Sequence, residues 1–268
     1  MEYMDVKIAA EKWGISERRV RALCLDGKIE GVRRCGNWNW NIPVSSTKPV
    51  DGRKTRFLKN RDLRTGSQDY KEVNAKRKKQ KCRLTAEQRK NLVLGILEYD
   101  GKSYTPEQIE DVIRLNKQEF DLKSHLEILN INTVFSDINY DVSETAIKDV
   151  NARLMFSILP DGGSFRTETS QAELDAALLQ YSNSWNVIHP VARAAFLFSE
   201  IMRIKPFEQG NTATAFYFLE VELLKNGFPG VVFSGIGATE LKAALASATI
   251  RGNTKNLIDM IKEAIIKS

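Results

Sequence analysis

The stretch HPVARAAFLFSEIMRIKPFEQGNTATAFYFLEVELLKNGFPGVVF, residues 189–233, carries two apolar helical patterns on either side of a short loop. In the first, Ala194, Phe196, Leu197 and Ile201 lie on an apolar helix that runs into Ile204-Lys205-Pro206-Phe207. A Gly210-Asn211 turn then opens a second helix, whose Phe218, Leu219 and Leu223 face inward. Gly227 comes next as a C-terminal cap, with Pro229 just beyond it. Helix, Pro-Phe loop, Gly-Asn turn and helix is a shape that aims backbone N–H groups at an anion. On spacing alone the same pattern equally serves as a plain helix–helix connection.

Helical punctuation continues on both sides of this pair. TAEQ at 85–88 and TPEQ at 105–108 each set Thr at the N-cap and Gln at N3, and the second adds Pro106 at N1. Further helices are predicted near 143–158, 170–184, 187–203, 211–226, 237–248 and 252–266, with no long strand run between them. Residues 85–268 therefore read as an all-α domain.

The loop and its flanks resemble the Fic (Fido) family. Its signature is His-Pro-Phe-x-Asp/Glu-Gly-Asn-Gly-Arg-x-x-Arg, and KPFEQGNTATAF at 205–216 aligns with it in register. GSFR at 163–166, HPVARAA at 189–195 and LLKNGFP at 223–229 extend the likeness, which spans roughly 85–268. The resemblance implies a nucleotide-binding loop at Pro206, Phe207, Gly210, Asn211 and Thr212. KSHLEILNINT at 123–133 looks like the family's inhibitory segment, with Glu127 in the place of its regulatory glutamate.

By that resemblance the motif has lost its base, its metal ligand and both cationic clamps together, while Asn211 is kept. By the resemblance, active members move AMP or another phosphate-containing group from a nucleotide to a hydroxyl, with the motif histidine as base. Here that position is Lys205, and a lysine near its ordinary pKa of about 10.4 is protonated at neutral pH and accepts no proton. The metal-binding acid is replaced by Gln209, a neutral amide and a poor Mg²⁺ ligand. Thr212 stands where a glycine would let a phosphate approach, and Ala213 and Phe216 replace both phosphate-holding arginines. Only TETSQ separates Arg166 from AELDAALL, too little for the target-docking hairpin that family enzymes usually carry. Glu127 has no arginine at 216 to engage, so it reads as an ordinary helix-surface acid.

Charge divides the chain. Residues 1–90 hold 24 Lys+Arg against 11 Asp+Glu, a net +13, and the remainder is net −7, giving the overall +6. The basic part points to a polyanion partner. Within it, Val6, Ile8, Ala9, Ala10 and Trp13 suit the buried side of a short helix, Gly14 permits a tight turn, and Ser16 caps a second helix. Val20, Leu23 and Cys24 form that helix's inward face, while Arg18, Arg19 and Arg21 crowd another. IEGVRRCGNWNWNIP then reads as two strands around Cys35-Gly36-Asn37, bearing Arg33, Arg34, Trp38 and Trp40.

Residues 4–43 resemble the winged helix-turn-helix of the MerR and excisionase class. That likeness implies a second helix in the major groove and a wing along the backbone, with Ser16, Arg18, Arg19, Arg21, Arg33, Arg34 and Trp38 as DNA contacts. Trp40 reads as packing of wing on helix. Residues 44–84, polar and poor in apolar periodicity, read as a basic linker, and the KRKKQK run at 76–81 near their end reads either as a phosphate contact or as a simple solvated connector.

The expected architecture is thus mainly α: a winged helix-turn-helix domain at 1–43, a linker at 44–84 and a Fic-like helical domain at 85–268. No stretch approaches eighteen consecutive apolar residues, and the beginning MEYMDVK has no apolar signal region, so the expected location is cytoplasmic with no membrane partner. Three scattered cysteines and two histidines form neither a disulfide framework nor a zinc site, so no metal is expected. The expected function is DNA-binding regulation through residues 1–90. The inactive Fic-like domain then serves as scaffold, dimeriser or ligand sensor, meeting a protein partner or a second copy, with no cofactor. The alternative is a transferase of altered chemistry that uses ATP and Mg²⁺ with Lys205 at a remodelled phosphate pocket.

Overall fold

A computed structural model describes residues 3–35, 39–49, 69–116, 120–233 and 238–268. The chain forms two compact units, Met1–Lys59 and Asn60–Ser268.

The smaller unit holds β1 (Tyr3–Met4), α1 (Val6–Trp13), α2 (Glu17–Leu25), β2 (Arg33–Cys35) and β3 (Asn39–Pro43). Asp5 caps α1 by accepting from the Ile8 amide, and Ser16 caps α2 by accepting from the Arg19 amide. Between them Gly14 adopts φ 61°, a left-handed conformation open to glycine without steric cost. Val6, Ala9, Ala10 and Trp13 of α1 meet Val20, Leu23 and Cys24 of α2 in one core with Ile42. Ile8, expected in that core, is 52% exposed. The helix begins at Val6, so the buried positions run i, i+3, i+4 and i+7, and i+2 falls on the opposite side. β2 and β3 pair antiparallel as expected, with Arg34 opposite Trp40. The sequence pattern missed β1, a two-residue strand that pairs with β3 and gives the order β1-β3-β2.

The larger unit is helical: α3 (Lys71–Ala75), α4 (Ala86–Tyr99), α5 (Pro106–Ile113), α6 (Leu122–Ser136), α7 (Glu144–Leu154), α8 (Glu168–Asn183), α9 (Pro190–Ile204), α10 (Asn211–Lys225), α11 (Ala238–Arg251) and α12 (Lys255–Lys267). Both Thr-x-x-Gln sequences form complete capping boxes, at Thr85 and Thr105. α10 is buried at every position from Thr212 to Leu224, so it is the central rod and α9 lies along it. A helix apolar around most of its circumference demands such cover.

Its two acids at 220 and 222 are satisfied differently. The Glu220 carboxyl, pushed up to about 8 by burial, accepts from the Val231 amide. Glu222 accepts from Tyr181 at 2.6 Å and pairs with Arg193 and Lys225 at 2.5 and 2.8 Å. Among the described residues no helix is long and apolar enough to cross a membrane, and no cluster of three His, Cys, Asp or Glu side chains is placed to hold a metal ion.

Two boundaries differ from expectation. The end of the supposed linker is part of the larger unit: Val73, Cys82 and Leu84 are buried, and Lys78 and Cys82 donate their amides to the carbonyls of Gly227 and Leu224. Main-chain bonds carry most of this docking, and they leave no apolar periodicity to read. The helix expected from 187 starts at Pro190, because Trp185–Val187 forms a 3-10 turn and His189 becomes the N-cap.

One buried amide ties the α9–α10 connection to the rest of the unit. Asn151 of α7 donates to the Gln209 carbonyl at 2.9 Å and to the Thr214 hydroxyl at 3.3 Å, and accepts from the Gly163 amide at 2.9 Å. The adjoining Gly210 sits at φ 77°, and a Cβ there would lie 2.8 Å from Met155 Cε and 2.9 Å from Asn151 Nδ2. Replacing Asn151 by alanine leaves the buried Gly163 amide without its acceptor and removes the bonds to the Gln209 carbonyl and the Thr214 hydroxyl. A loss of about 3 kcal/mol is expected, read as a fall of roughly 5–10 °C in melting temperature.

His189 provides a pH test. Its ring stacks on Tyr70 with centroids 3.7 Å apart, Nδ1 accepts from the Val191 amide, and Nε2 faces Asn74 Oδ1 at 3.1 Å. Those partners require the neutral Nε2–H form. Burial, aided by the charges of Arg77, Arg193 and Lys262, holds the imidazole down at about 4. The folded pKa is depressed below the ordinary 6.5, so the unfolded chain takes up a proton first as pH falls. Stability from this group is full above pH 6.5 and drains away between 6.5 and 4, by about 1–2 kcal/mol after allowance for partial exposure. Melting curves across that window should show this loss in the wild type and not in His189→Gln.

Candidate functional site

The turn between α9 and α10 brings Lys205, Pro206, Phe207, Gly210, Asn211 and Thr212 together. Lys205 ends α9 in the left-handed region, φ 47° and ψ 65°, with its side chain exposed. Such backbone strain in a residue with a Cβ persists only where neighbouring contacts hold it, and here the next residues of the turn do so. Pro206 accepts from the Arg166 amide at 2.8 Å. Phe207, buried, stacks on Phe165 with centroids 5.6 Å apart. Asn211 closes the turn on itself, accepting from the Phe207 amide at 3.0 Å and donating to the Phe207 carbonyl at 2.8 Å. Each of these contacts is structural. They hold the start of α10 in a fixed place whether or not any ligand binds.

The groups facing that start decide the chemistry available. The Thr212 hydroxyl donates to Asp100 Oδ1 at 2.7 Å, so a carboxylate from the end of α4 stands beside the N-terminus of α10. Much of Asp100 is open to solvent, yet the packed helices around its carboxyl push it above the usual carboxylate range. The Thr212 hydrogen bond opposes that rise, the charge of Glu127 adds to it, and Lys102 and Lys242 oppose it. Glu127, read from the sequence as an ordinary surface acid, is half-buried on α6 and ion-paired with Lys102. Asp100 and Glu127 therefore place negative charge beside a helix end that attracts anions.

The two positions equivalent to the family's clamps are apolar in their surroundings as well as in identity. Ala213 and Phe216 are both buried. Phe216 lies at the centre of a ring cluster, 4.9 Å from Phe198, 6.0 Å from Phe233 and 6.4 Å from Tyr99. A guanidinium at 216 would be desolvated among aromatic rings. Gln209 is exposed, and its backbone carbonyl serves the Asn151 clamp. α8 begins at Glu168, directly after the Phe165–Phe207 bridge and the Thr167 cap, with no hairpin between Arg166 and the helix.

Sequence reasoning missed Asp100, Lys102, Asn151 and Phe165. Asp100 sits at the C-cap of a helix and Asn151 within one, so neither belongs to a local motif. The only signal for Asn151 was a polar residue on an otherwise apolar helix face.

The residues expected at DNA lie in the smaller unit. Ser16, Arg18, Arg19 and Arg21 belong to α2 or its cap, and Arg33 and Arg34 to β2. Arg18 is exposed, and Arg21 pairs with Glu17 at 2.7 Å, which neutralises part of the expected cationic face. Both wing arginines are exposed and rest on rings: Arg33 lies 5.3 Å from the centroid of Tyr3 and Arg34 5.8 Å from that of Trp40. Trp40 is half-buried against the small core. Trp38 lies outside the described residues.

Comparison with known proteins bears on the larger unit. The Fic/DOC family model matches residues 141–223, a span that holds Asn151, the Phe165 bridge and the whole turn. Among solved structures the chain is similar to Fic-1 from C. elegans, with a TM-score of 0.61 and 18% identity over 81% of this chain and 71% of that one. A Fic domain containing signaling protein from Bacteroides thetaiotaomicron aligns with a TM-score of 0.60 and 14% identity over 80% of this chain and 93% of that one. A Fic family protein from Desulfovibrio desulfuricans gives 0.55 and 15%, over 82% and 74%. No curated protein matches the sequence. At such identities the structural likeness speaks for the fold. The sequence match itself places a Fic/DOC domain at residues 141–223.

Proposed function

We propose that the chain is a DNA-binding regulatory protein whose Fic-like unit does not transfer nucleotide and acts as a scaffold, dimeriser or ligand sensor. One observation carries the inactive reading. The Asp100 carboxylate stands beside the α10 N-terminus, and the hydroxyl of Thr212 is spent on it. Phosphoryl transfer depends mainly on positioning and on stabilising charge. Here the Asp100 carboxylate is the group that Thr212 holds, Lys102 nearby is paired with Glu127, and positions 213 and 216 are a buried alanine and a buried phenylalanine. ATP with Mg²⁺ does not fit these residues: Gln209 is a neutral amide, and Asp100 is engaged by Thr212.

The DNA-binding reading is supported by the basic part of the chain and by the exposed arginines of α2 and β2. Stacking on Tyr3 and Trp40 limits the rotamers of Arg33 and Arg34 before any partner arrives, which reduces the entropy lost on binding.

Incubation of the protein with labelled ATP, GTP, UTP or CTP and Mg²⁺ or Mn²⁺ should give no self-labelling. Labelling that disappears in Lys205→Ala would instead establish the altered transferase. The same nucleotides should leave the melting temperature unchanged; a rise would assign the unit as a nucleotide sensor by mass action.

For the smaller unit, the full chain should bind duplex DNA with steep salt dependence. Arg33→Ala/Arg34→Ala should weaken that binding by about tenfold or more and reduce the salt slope by about 2. Absence of any mobility shift at low salt would remove the DNA-binding reading.

A further inference from the structure

The KRKKQK run is neither a free connector nor a part of the small unit. It crosses the C-terminal end of α10 as a fixed strap. The Lys78 amide donates to the Gly227 carbonyl at 2.7 Å, the Cys82 amide to Leu224 at 3.0 Å, and the Cys82 thiol to Gly227 at 3.3 Å. Tyr140 donates its hydroxyl to the Cys82 carbonyl at 2.8 Å. Room for the strap comes from Gly227, at φ 85°, where a Cβ would fall 2.1 Å from the Lys78 carbonyl oxygen.

Its cations divide into two groups. Arg77 donates to the Asn226 carbonyl at 2.8 Å and lies 5.6 Å from the Phe228 centroid, so it helps cap the helix. The Lys81 ammonium stands 4.4 Å over the Tyr140 ring. Lys76, Lys78 and Lys79 are exposed and form no ion pair among the described residues. Capping a helix end accounts for one cation and the ring contact for another. Three ammonium groups remain on one short, ordered stretch of backbone, an arrangement that self-repulsion disfavours.

We infer that this strap is a second contact for duplex DNA, presented by the helical unit, which binds the phosphate backbone without reading sequence. The inference rests on the DNA-binding reading above and names a site outside the small unit. A polyphosphate is the partner that relieves clustered positive charge along an ordered chain. Residues 76–81 include no apolar side chain to enter a bilayer, so charge alone must supply the attraction. Because the backbone is already ordered by main-chain bonds, binding costs only the freedom of the lysine side chains.

The test uses the full chain and a mixed-sequence duplex DNA of about 30 base pairs, roughly three helical turns, titrated at several salt concentrations. Lys76→Ala/Lys78→Ala/Lys79→Ala alters only exposed side chains, and an unchanged melting temperature checks that the fold is intact. Three lost phosphate contacts should lower the slope of log K against log salt by about 2 to 3, and the affinity by tenfold or more at low salt. The wing variant serves as the control for the small unit. If the wild type binds and the wing variant is impaired while the lysine variant keeps the wild-type slope, the strap proposal is overturned and the DNA-binding reading stands. Wild-type protein that fails to bind at low salt removes both. A lysine variant that binds DNA normally but loses binding to phosphatidylserine-containing vesicles overturns the proposal in favour of a membrane surface.

Discussion

The side-chain amide of Asn151 is the constraint on which the geometry of the Fic-like turn depends. It is nearly inaccessible to water and makes bonds to three different segments: the end of the motif loop, the first turn of α10 and the glycine turn before Phe165. Each partner is a backbone or hydroxyl group for which the amide provides a bond inside the packed unit. Gly210 belongs to the same contact, because only a residue without Cβ lets the loop approach Asn151 and Met155 so closely. The family resemblance at Pro206, Phe207, Gly210 and Asn211 is therefore explained by shape. A loop that must keep this clamp keeps those residues whatever chemistry surrounds it.

The chemistry departs on the other side of the turn. The N-terminus of α10 retains its orientation, and an anion is still favoured there by the helix dipole. In this protein the chain supplies the anion itself, as Asp100 held by Thr212 with Glu127 and Lys102 beyond it. Local neutralisation by a fixed carboxylate and the aromatic packing of Phe216 act in the same direction. The first places a carboxylate at the helix end, and the second fills position 216 with an aromatic ring.

Charge elsewhere has the opposite sign. The smaller unit exposes arginines braced on aromatic rings, and the strap on the larger unit exposes lysines on a backbone braced by main-chain bonds. Some of the positive charge is spent internally, on the pair of Arg21 with Glu17 and on the capping role of Arg77. The exposed remainder is presented on ordered backbone, and rigid presentation of like charge is costly to a protein unless something outside meets it.

Much of this was legible in the residues alone. Capping boxes at Thr85 and Thr105, the turn at Gly14-Ile15-Ser16 and the order of helices are local features, and a short window of chain contains all the groups that make them. The altered motif was legible for the same reason, since residues 205–216 are contiguous. Ile8 was misplaced because it follows Val6 by two residues, about 200° around a helix whose buried face carries Val6, Ala9, Ala10 and Trp13. Asp100, Asn151 and the docking of 69–84 were out of reach for a deeper reason. Each acts on partners far along the chain, through hydrogen bonds rather than apolar spacing. A hydrogen bond between distant segments leaves no periodicity in either. The amino-acid order thus determined which helices form and which side chains the turn carries, while only tertiary packing decided which charge faces the turn and which cations remain exposed.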